Sequence, residues 1–254
     1  MVRERLVKAY DSLSDDYHQA FGLFLDHTDQ KTRANEWLDR MVGSLPLRRT
    51  FIDAGAGTGK VTAWLAERFE NTVALEPNAA LRRELRRACP GIDVRQEAIM
   101  DAKPPELAEL VLCSHVLYYI PPQEWRAHIE KMASWLSPQG ELVIVLQSSD
   151  TDCMDMLAHF QHQRFDLGAA GEHFENEDDG HYRLELENVP AHVTTPDLAS
   201  AVAIAEFMLN LLPMPEPPTR RALEEYVTDR FAQPGGYRFS CHQDFLRIAH
   251  APAP

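Results

Sequence analysis

The run Asp53-Ala54-Gly55-Ala56-Gly57-Thr58-Gly59-Lys60 is the part of this sequence best suited to hold a ligand. It closes a short apolar strand, Thr50-Phe51-Ile52-Asp53-Ala54, and opens a stretch of helical character over 58–69. Glycines let a chain turn sharply and approach a ligand with no Cβ in the way. The start of the next helix offers unpaired N–H groups to a polar or anionic group. Roughly twenty residues further on, where an acid can reach both hydroxyls of a ribose, Glu76 ends a second strand in Val73-Ala74-Leu75-Glu76-Pro77.

Three ligand chemistries compete for such a turn. A phosphate-binding P-loop needs a glycine five places before its Gly-Lys pair and a Ser or Thr after the lysine. Those places hold Ala54 and Val61. A dinucleotide fingerprint counted from Gly55 and Gly57 needs a small third residue where Lys60 stands. What remains, D-x-G-x-G-x-G followed by the strand-end acid, resembles motif I of class I methyltransferases. The resemblance implies S-adenosylmethionine as cofactor, with Asp53 near its methionine end and Gly55, Ala56, Gly57 and Gly59 along the backbone contact. Glu76 and Pro77 would then meet the ribose. The third strand runs into Glu97-Ala98-Ile99-Met100-Asp101, and Glu97 or Asp101 would meet the adenine amine, although either also suits an exposed loop.

A fourth apolar strand leads into Ser114-His115-Val116-Leu117-Tyr118-Tyr119. Open α/β sheets bind ligands at the carboxyl ends of their strands, so this loop is expected beside the transferable methyl. Ser114 is expected on the cofactor side, His115 as proton acceptor or orienter, and Tyr118 and Tyr119 as pocket wall. Leu117 and Tyr119 could instead pack beneath the cofactor. The chain also resembles histamine N-methyltransferase and its relatives. The shared features are Phe21-Gly22-Leu23-Phe24-Leu25-Asp26-His27, Glu76-Pro77, Leu117-Tyr118-Tyr119, Pro217-Pro218 before a charged helix, and a terminal strand containing Phe245. That resemblance implies a small amine acceptor and adds Tyr17, His18, Phe21, His27 and Gln30 as substrate contacts. Where that family holds its amine with an acid after the histidine and a glutamine before Leu-Tyr-Tyr, this chain has Gln30 and His115, so histamine itself does not follow. The rival readings are an O-methyltransferase for a hydroxyl or carboxylate and a non-catalytic S-adenosylmethionine-binding protein.

The elements that must position these residues alternate. Strands are expected at 50–54, 71–75, 91–95, 107–113 and 141–146. Helices are expected between them at 58–69, 78–88 with Asn78 as cap, and 123–136, with a turn at Ser137-Pro138-Gln139-Gly140. Such alternation predicts a doubly wound, mostly parallel α/β sheet, of seven strands in the class resembled. The chain reads as one domain over 1–254: a helical cap at 1–45, a cofactor-binding core at 46–150, and a lid with closing strands at 151–254. Helices are expected at 152–165, 196–212 and 219–231, and strands at 182–186, 237–239 and 244–248. The acid-rich stretch 166–187 reads as an exposed loop or lid.

Composition narrows the partners. With 39 Asp and Glu against 25 Lys and Arg, the formal charge is −14, which disfavours nucleic acid and weakly favours a cationic small molecule. The basic run Arg82-Arg83-Glu84-Leu85-Arg86-Arg87 fits the outer face of an amphipathic helix. Cys89, Cys113, Cys153 and Cys241 lack zinc-ligand spacing, and His159 with His162 has no evident third ligand, so no metal is expected. Charges among the first residues and the absence of a long apolar run predict a cytoplasmic chain without a membrane segment.

Overall fold

The computed structural model describes residues 5–10, 14–177, 180–212 and 214–252. The chain divides into two compact units. One comprises Leu38–Leu146, Leu167–Glu187 and Asp244–Pro254; the other comprises Met1–Trp37, Gln147–Asp166 and Asn188–Gln243. In chain order the elements begin with α1 (Asp15–His27), α2 (Gln30–Ser44), β1 (Thr50–Ala54), α3 (Lys60–Ala66), β2 (Asn71–Leu75), α4 (Ala79–Ala88) and β3 (Asp93–Arg95). There follow β4 (Ala108–Ser114), α5 (Trp125–Ala133), β5 (Leu136–Gln147), α6 (Asp152–Gln161), α7 (Leu167–Glu177) and β6 (Tyr182–Val189). The last are β7 (His192–Thr195), α8 (Leu198–Leu209), α9 (Arg220–Phe231), β8 (Ala232–Gln233), β9 (Gly236–Ser240) and β10 (Gln243–His250).

The sheet-bearing unit holds nearly all of a seven-stranded sheet in the order β3-β2-β1-β4-β5-β10-β6. The strand pairs β3-β2, β2-β1, β1-β4 and β4-β5 are all parallel. Every residue of β1 is buried, as is β4 up to Cys113, as expected of strands covered on both faces. Asn78 caps α4 as its sequence suggests, accepting the N–H groups of Ala80 and Leu81 at 2.8 and 3.3 Å. At the amino end of the sheet, Glu109 is fully buried and ties β4 to the entry of β1. It accepts from Thr50 N at 2.8 Å and from the Arg49 guanidinium at 2.9 Å.

Three expectations are corrected here. The stretch 166–187 is not a loop or lid: it forms α7 and most of β6, an edge strand of the main sheet. Leu167, Gly171 and Phe174 form a helical stripe, with Gly171 against Leu246 and Leu184 and Phe174 buried. Their spacing was readable but obscured by the surrounding acids. The turn expected at 137–140 lies inside β5, as a register shift between Ala108 and Leu110 that pairs Ala108 with Leu136 and Leu110 with Glu141. A Cβ on Gly140 would come within 2.2 Å of the Ala108 carbonyl oxygen, so glycine permits that close approach. The helix expected to reach 136 therefore ends at Ala133.

The other unit is built on α8, whose sequence LASAVAIAEFML is apolar nearly all round and correspondingly buried. Helices α1, α6 and α9 pack on it, beside a three-stranded sheet in the order β7-β9-β8. The N-terminal segment is not helical throughout. Leu6 bridges Thr219, Val7 N donates to Pro218 O at 2.8 Å, and Lys8 N donates to the buried Glu206 carboxylate at 2.6 Å. Residues 11–13 of the expected helical cap, Leu13 among them, lie outside the described residues. No helix among the described residues is long and apolar enough to cross a membrane.

Candidate active site

The carboxyl ends of β1, β2 and β4 gather the expected cofactor residues. Gly55 N and Ala56 N both donate to Leu75 O at 3.0 Å, bending the chain across the end of β2. Gly57 N then donates to Glu76 Oε2 at 2.9 Å, while Asn78 N donates to Oε1 at 2.7 Å. Both oxygens of the buried Glu76 are thereby fixed, yet a carboxylate has about four lone-pair positions and keeps capacity for further donors. Pro77 beside it is exposed.

The three glycines of the turn have different reasons. Gly57, at φ +56°, faces open space: a Cβ there would meet nothing within 4 Å. Gly55, at φ +110°, is crossed by Val116, whose Cγ2 would lie 2.3 Å from an added Cβ. Gly59 abuts Leu85 and Cys89 of the α4 region, so its small size serves packing between α3 and α4. The turn is thus closed over its first glycine and open at its second.

Asp53 is buried under this turn, with the Thr62 hydroxyl donating to it at 2.6 Å. Burial raises its carboxyl, the Thr62 hydrogen bond only partly opposes that, and the nearby Glu76 charge adds to the rise, which reaches about 6. Glu97 is half-buried and Asp101 exposed in the loop after β3, where the N–H groups of Asp101 and Ala102 donate to Ala98 O at 3.0 Å.

After β4 the backbone is constrained. His115 adopts φ +57°, uncommon for a residue with a Cβ, and its N–H donates to Val145 O at 2.8 Å. Val116 then starts a single 3₁₀ turn, Leu117–Tyr119. Tyr118 is buried and its hydroxyl lies 3.4 Å from His115 Nδ1, with the two rings stacked at 5.8 Å. Tyr119 is exposed. Ser114 is half-buried at the strand end. Burial pushes the His115 imidazole down to about 4, so it is neutral near pH 7.

The expected substrate contacts from the N-terminal region lie in the α8-based unit. Tyr17 and Phe21 are half-buried and cluster with Phe24 and Phe207, with ring centroids 5.5–5.7 Å from Phe207. His18 lies on α1, but its side chain falls outside the described residues. His27 Nδ1 lies 3.0 Å from Leu23 O of its own helix. Gln30 is buried, and its amide nitrogen donates to Cys241 O at 2.8 Å, so the structure gives this side chain a fold-holding partner. His159 meets Phe160 edge-on and Tyr226 at a tilt, while His162 closes α6 in a left-handed conformation.

A doubly wound seven-stranded sheet with an acid-anchored glycine turn at its carboxyl ends defines the Rossmann-like methyltransferase fold. The sequence matches the family model described as Methyltransferase domain over residues 25–190, and the chain belongs to that family. Among solved structures it is similar to the YcgJ protein of Bacillus subtilis, at 12% identity and a TM-score of 0.60, covering 86% of this chain and 100% of that one. It is also similar to the N-methyltransferase NodS of Bradyrhizobium japonicum bound to S-adenosyl-L-homocysteine, at 14% identity, a TM-score of 0.57, and coverage of 94% and 100%. A third likeness is DhpI in complex with S-adenosylhomocysteine, at 16% identity, a TM-score of 0.52, and coverage of 88% and 87%. These likenesses establish the shared fold. No curated protein matches the sequence.

Val116 and Leu85 explain features that the sequence reading missed. Nothing in the glycine spacing says that Gly55 is covered by the loop after β4, or that Gly59 is a packing residue. The apolar run Val116-Leu117 beyond the strand was the available signal for a loop folding inward.

Proposed function

We propose that the chain binds S-adenosylmethionine at the carboxyl ends of β1, β2 and β3 and transfers its methyl group to a small-molecule acceptor, an amine nitrogen. The observation that carries this reading is the Glu76 carboxylate, held by Gly57 N and Asn78 N beside a turn that is open at Gly57. A buried, orientated acid next to open backbone suits the two hydroxyls of a ribose. Asp53, buried with one hydroxyl partner, supports it as an acid short of compensating donors.

When bound, the cofactor supplies an activated methyl on a sulfonium sulfur. The protein's part is alignment, worth up to about 7–11 kcal/mol in favourable cases. His115 is neutral at physiological pH, so it acts as a hydrogen-bonding orienter and not as the store for an ammonium proton. Its partner Tyr118 keeps the ring in place. The acceptor nitrogen therefore has to carry its lone pair before transfer, either arriving neutral or losing its proton to water. The charge of −14 favours a cationic amine.

The test is transfer of labelled methyl from S-adenosylmethionine to parallel panels of amines, phenols, alcohols and carboxylic acids. Label on amines alone is the expected result. Label on oxygen acceptors would replace the amine reading with O-methylation. Cofactor binding with no acceptor labelled would mark a non-catalytic binding protein.

A further inference from the structure

At the carboxyl end of the sheet, two large apolar side chains stand exposed: Met100, in the loop after β3, at 44%, and Tyr119, after β4, at 72%. In the strand order β3-β2-β1-β4, these loops flank the ends of β2 and β1, where Glu76 and the open Gly57 lie. Exposed apolar surface on both sides of a polar anchor is what a flat, partly apolar ligand would cover.

The 3₁₀ turn decides which tyrosine is available. Residues three apart eclipse one another in this helix type, and Tyr119 N donates to Val116 O at 3.0 Å. Tyr119 therefore rises on the same side as Val116, the residue lying over Gly55. Tyr118, one step round, points into the protein and pairs with His115. No side-chain hydrogen bond engages the Tyr119 hydroxyl among the described residues. Partial loss of hydration, and then the neighbouring Glu76 carboxylate, raise its phenol, which places it within electrostatic reach of the ribose acid.

We propose that Tyr119 is a cofactor-binding residue, its ring closing over the nucleoside held by Glu76, on the side opposite Met100. This rests on the S-adenosylmethionine reading above and moves Tyr119 from the acceptor pocket to the nucleoside. An aromatic face tolerates any base and adds contact that the glycine turn, lacking side chains, cannot supply. Removing such a face weakens nucleoside binding by roughly ten- to a hundredfold.

Calorimetric titration of S-adenosylhomocysteine and of 5′-methylthioadenosine into the wild type, Tyr119→Ala and Tyr119→Phe tests this. The second ligand lacks the amino-acid end, so a nucleoside contact must affect both alike. The expected result is that Tyr119→Ala loses about tenfold or more for both ligands, by the same factor. Tyr119→Phe is expected to keep most of the affinity, and all three unliganded proteins to melt together. If the wild type binds both and Tyr119→Ala binds them within about twofold of it, the proposal is overturned while the cofactor reading stands. The same holds if only the affinity for S-adenosylhomocysteine falls. If the wild type binds neither, the cofactor reading fails and the proposal fails with it.

Discussion

The two ends of the parallel sheet each bury a carboxylate, and they treat it in opposite ways. Glu109, at the amino end of β4, is surrounded by donors: Thr50 N, Arg49 N and the Arg49 guanidinium. Burial alone would raise its carboxyl, but the Thr50 N–H, the Arg49 guanidinium and the Ser137 hydroxyl outweigh that and hold it below its ordinary range. Asp53, at the carboxyl end of β1, has the Thr62 hydroxyl and, nearby, the like charge of Glu76. Its carboxyl rises to about 6. The first acid is compensated and closes the fold. The second is under-compensated, which stabilises nothing by itself and makes sense where a ligand will complete the site.

Glu109→Ala is the largest expected loss. It leaves the Thr50 N–H without its acceptor in a buried setting, and costs about 3 kcal/mol. In a chain of this size that lowers Tm by on the order of 10 °C. The exposed Arg49 side chain accounts for little of this. Binding of S-adenosylhomocysteine measured below the transition should be unchanged; loss of binding with Tm unchanged would reverse the assignment of the two ends.

Asp53→Asn should act with the opposite sign. A carboxyl whose folded pKa is about 6, against an ordinary value near 3.9, opposes folding as pH rises through that window, and the full cost is present above it. Asparagine can still accept from Thr62 and carries no charge. The variant should therefore be more stable by up to about 3 kcal/mol near pH 7.5, with most of the gain gone by about pH 4.5, while cofactor affinity drops. Thermal melts across pH would show it; a variant less stable at every pH would contradict the picture of an under-compensated acid.

Smaller effects sharpen the contrast within the turn. Gly57→Ala should cost on the order of 1 kcal/mol from the left-handed backbone alone, because nothing opposes a Cβ there. Gly55→Ala adds overlap with Val116 and should cost visibly more in the same denaturation assay. Equal costs would mean that Val116 moves aside freely. The smallest effect near neutral pH belongs to His115→Asn, which suits the left-handed backbone. With its imidazole at about 4 in the folded protein, against an ordinary value near 6.5, the wild type loses stability as pH falls through that interval, and the variant should lack that portion. Turnover should also show no His115 titration between about pH 6 and 8. A rate step near 6.5 that vanishes in the variant would instead make His115 the proton acceptor.

The glycine-turn half of the sheet was legible because the interactions that shape it are local. β1, the glycine turn, β2, Asn78 as cap and Glu76 follow one another within a short span, and each residue type has a nearby reason. The α8-based unit draws on three separated segments, and the partners that fix it, such as Gln30 with Cys241 or Lys8 with Glu206, are far apart in sequence. The buried hydrogen bond from Gln30 to Cys241 O could not be seen in the sequence for that reason. The acid-rich stretch 166–187 misled for a different reason: charge on one face of α7 and on an edge strand outnumbers the few apolar residues that bury the other face. Burial of His115 was likewise invisible in the sequence, as was the lowered imidazole value that burial imposes.

Glu76 is the side chain on which the cofactor assignment turns, and titrating S-adenosylhomocysteine into the wild type and Glu76→Ala near pH 7.5 tests it most directly. Saturable one-to-one binding to the wild type is expected, with at least about a hundredfold weaker binding to the variant, equivalent to roughly 2.7 kcal/mol. Equal affinity of the two proteins, or a wild type that takes up no ligand, would contradict it.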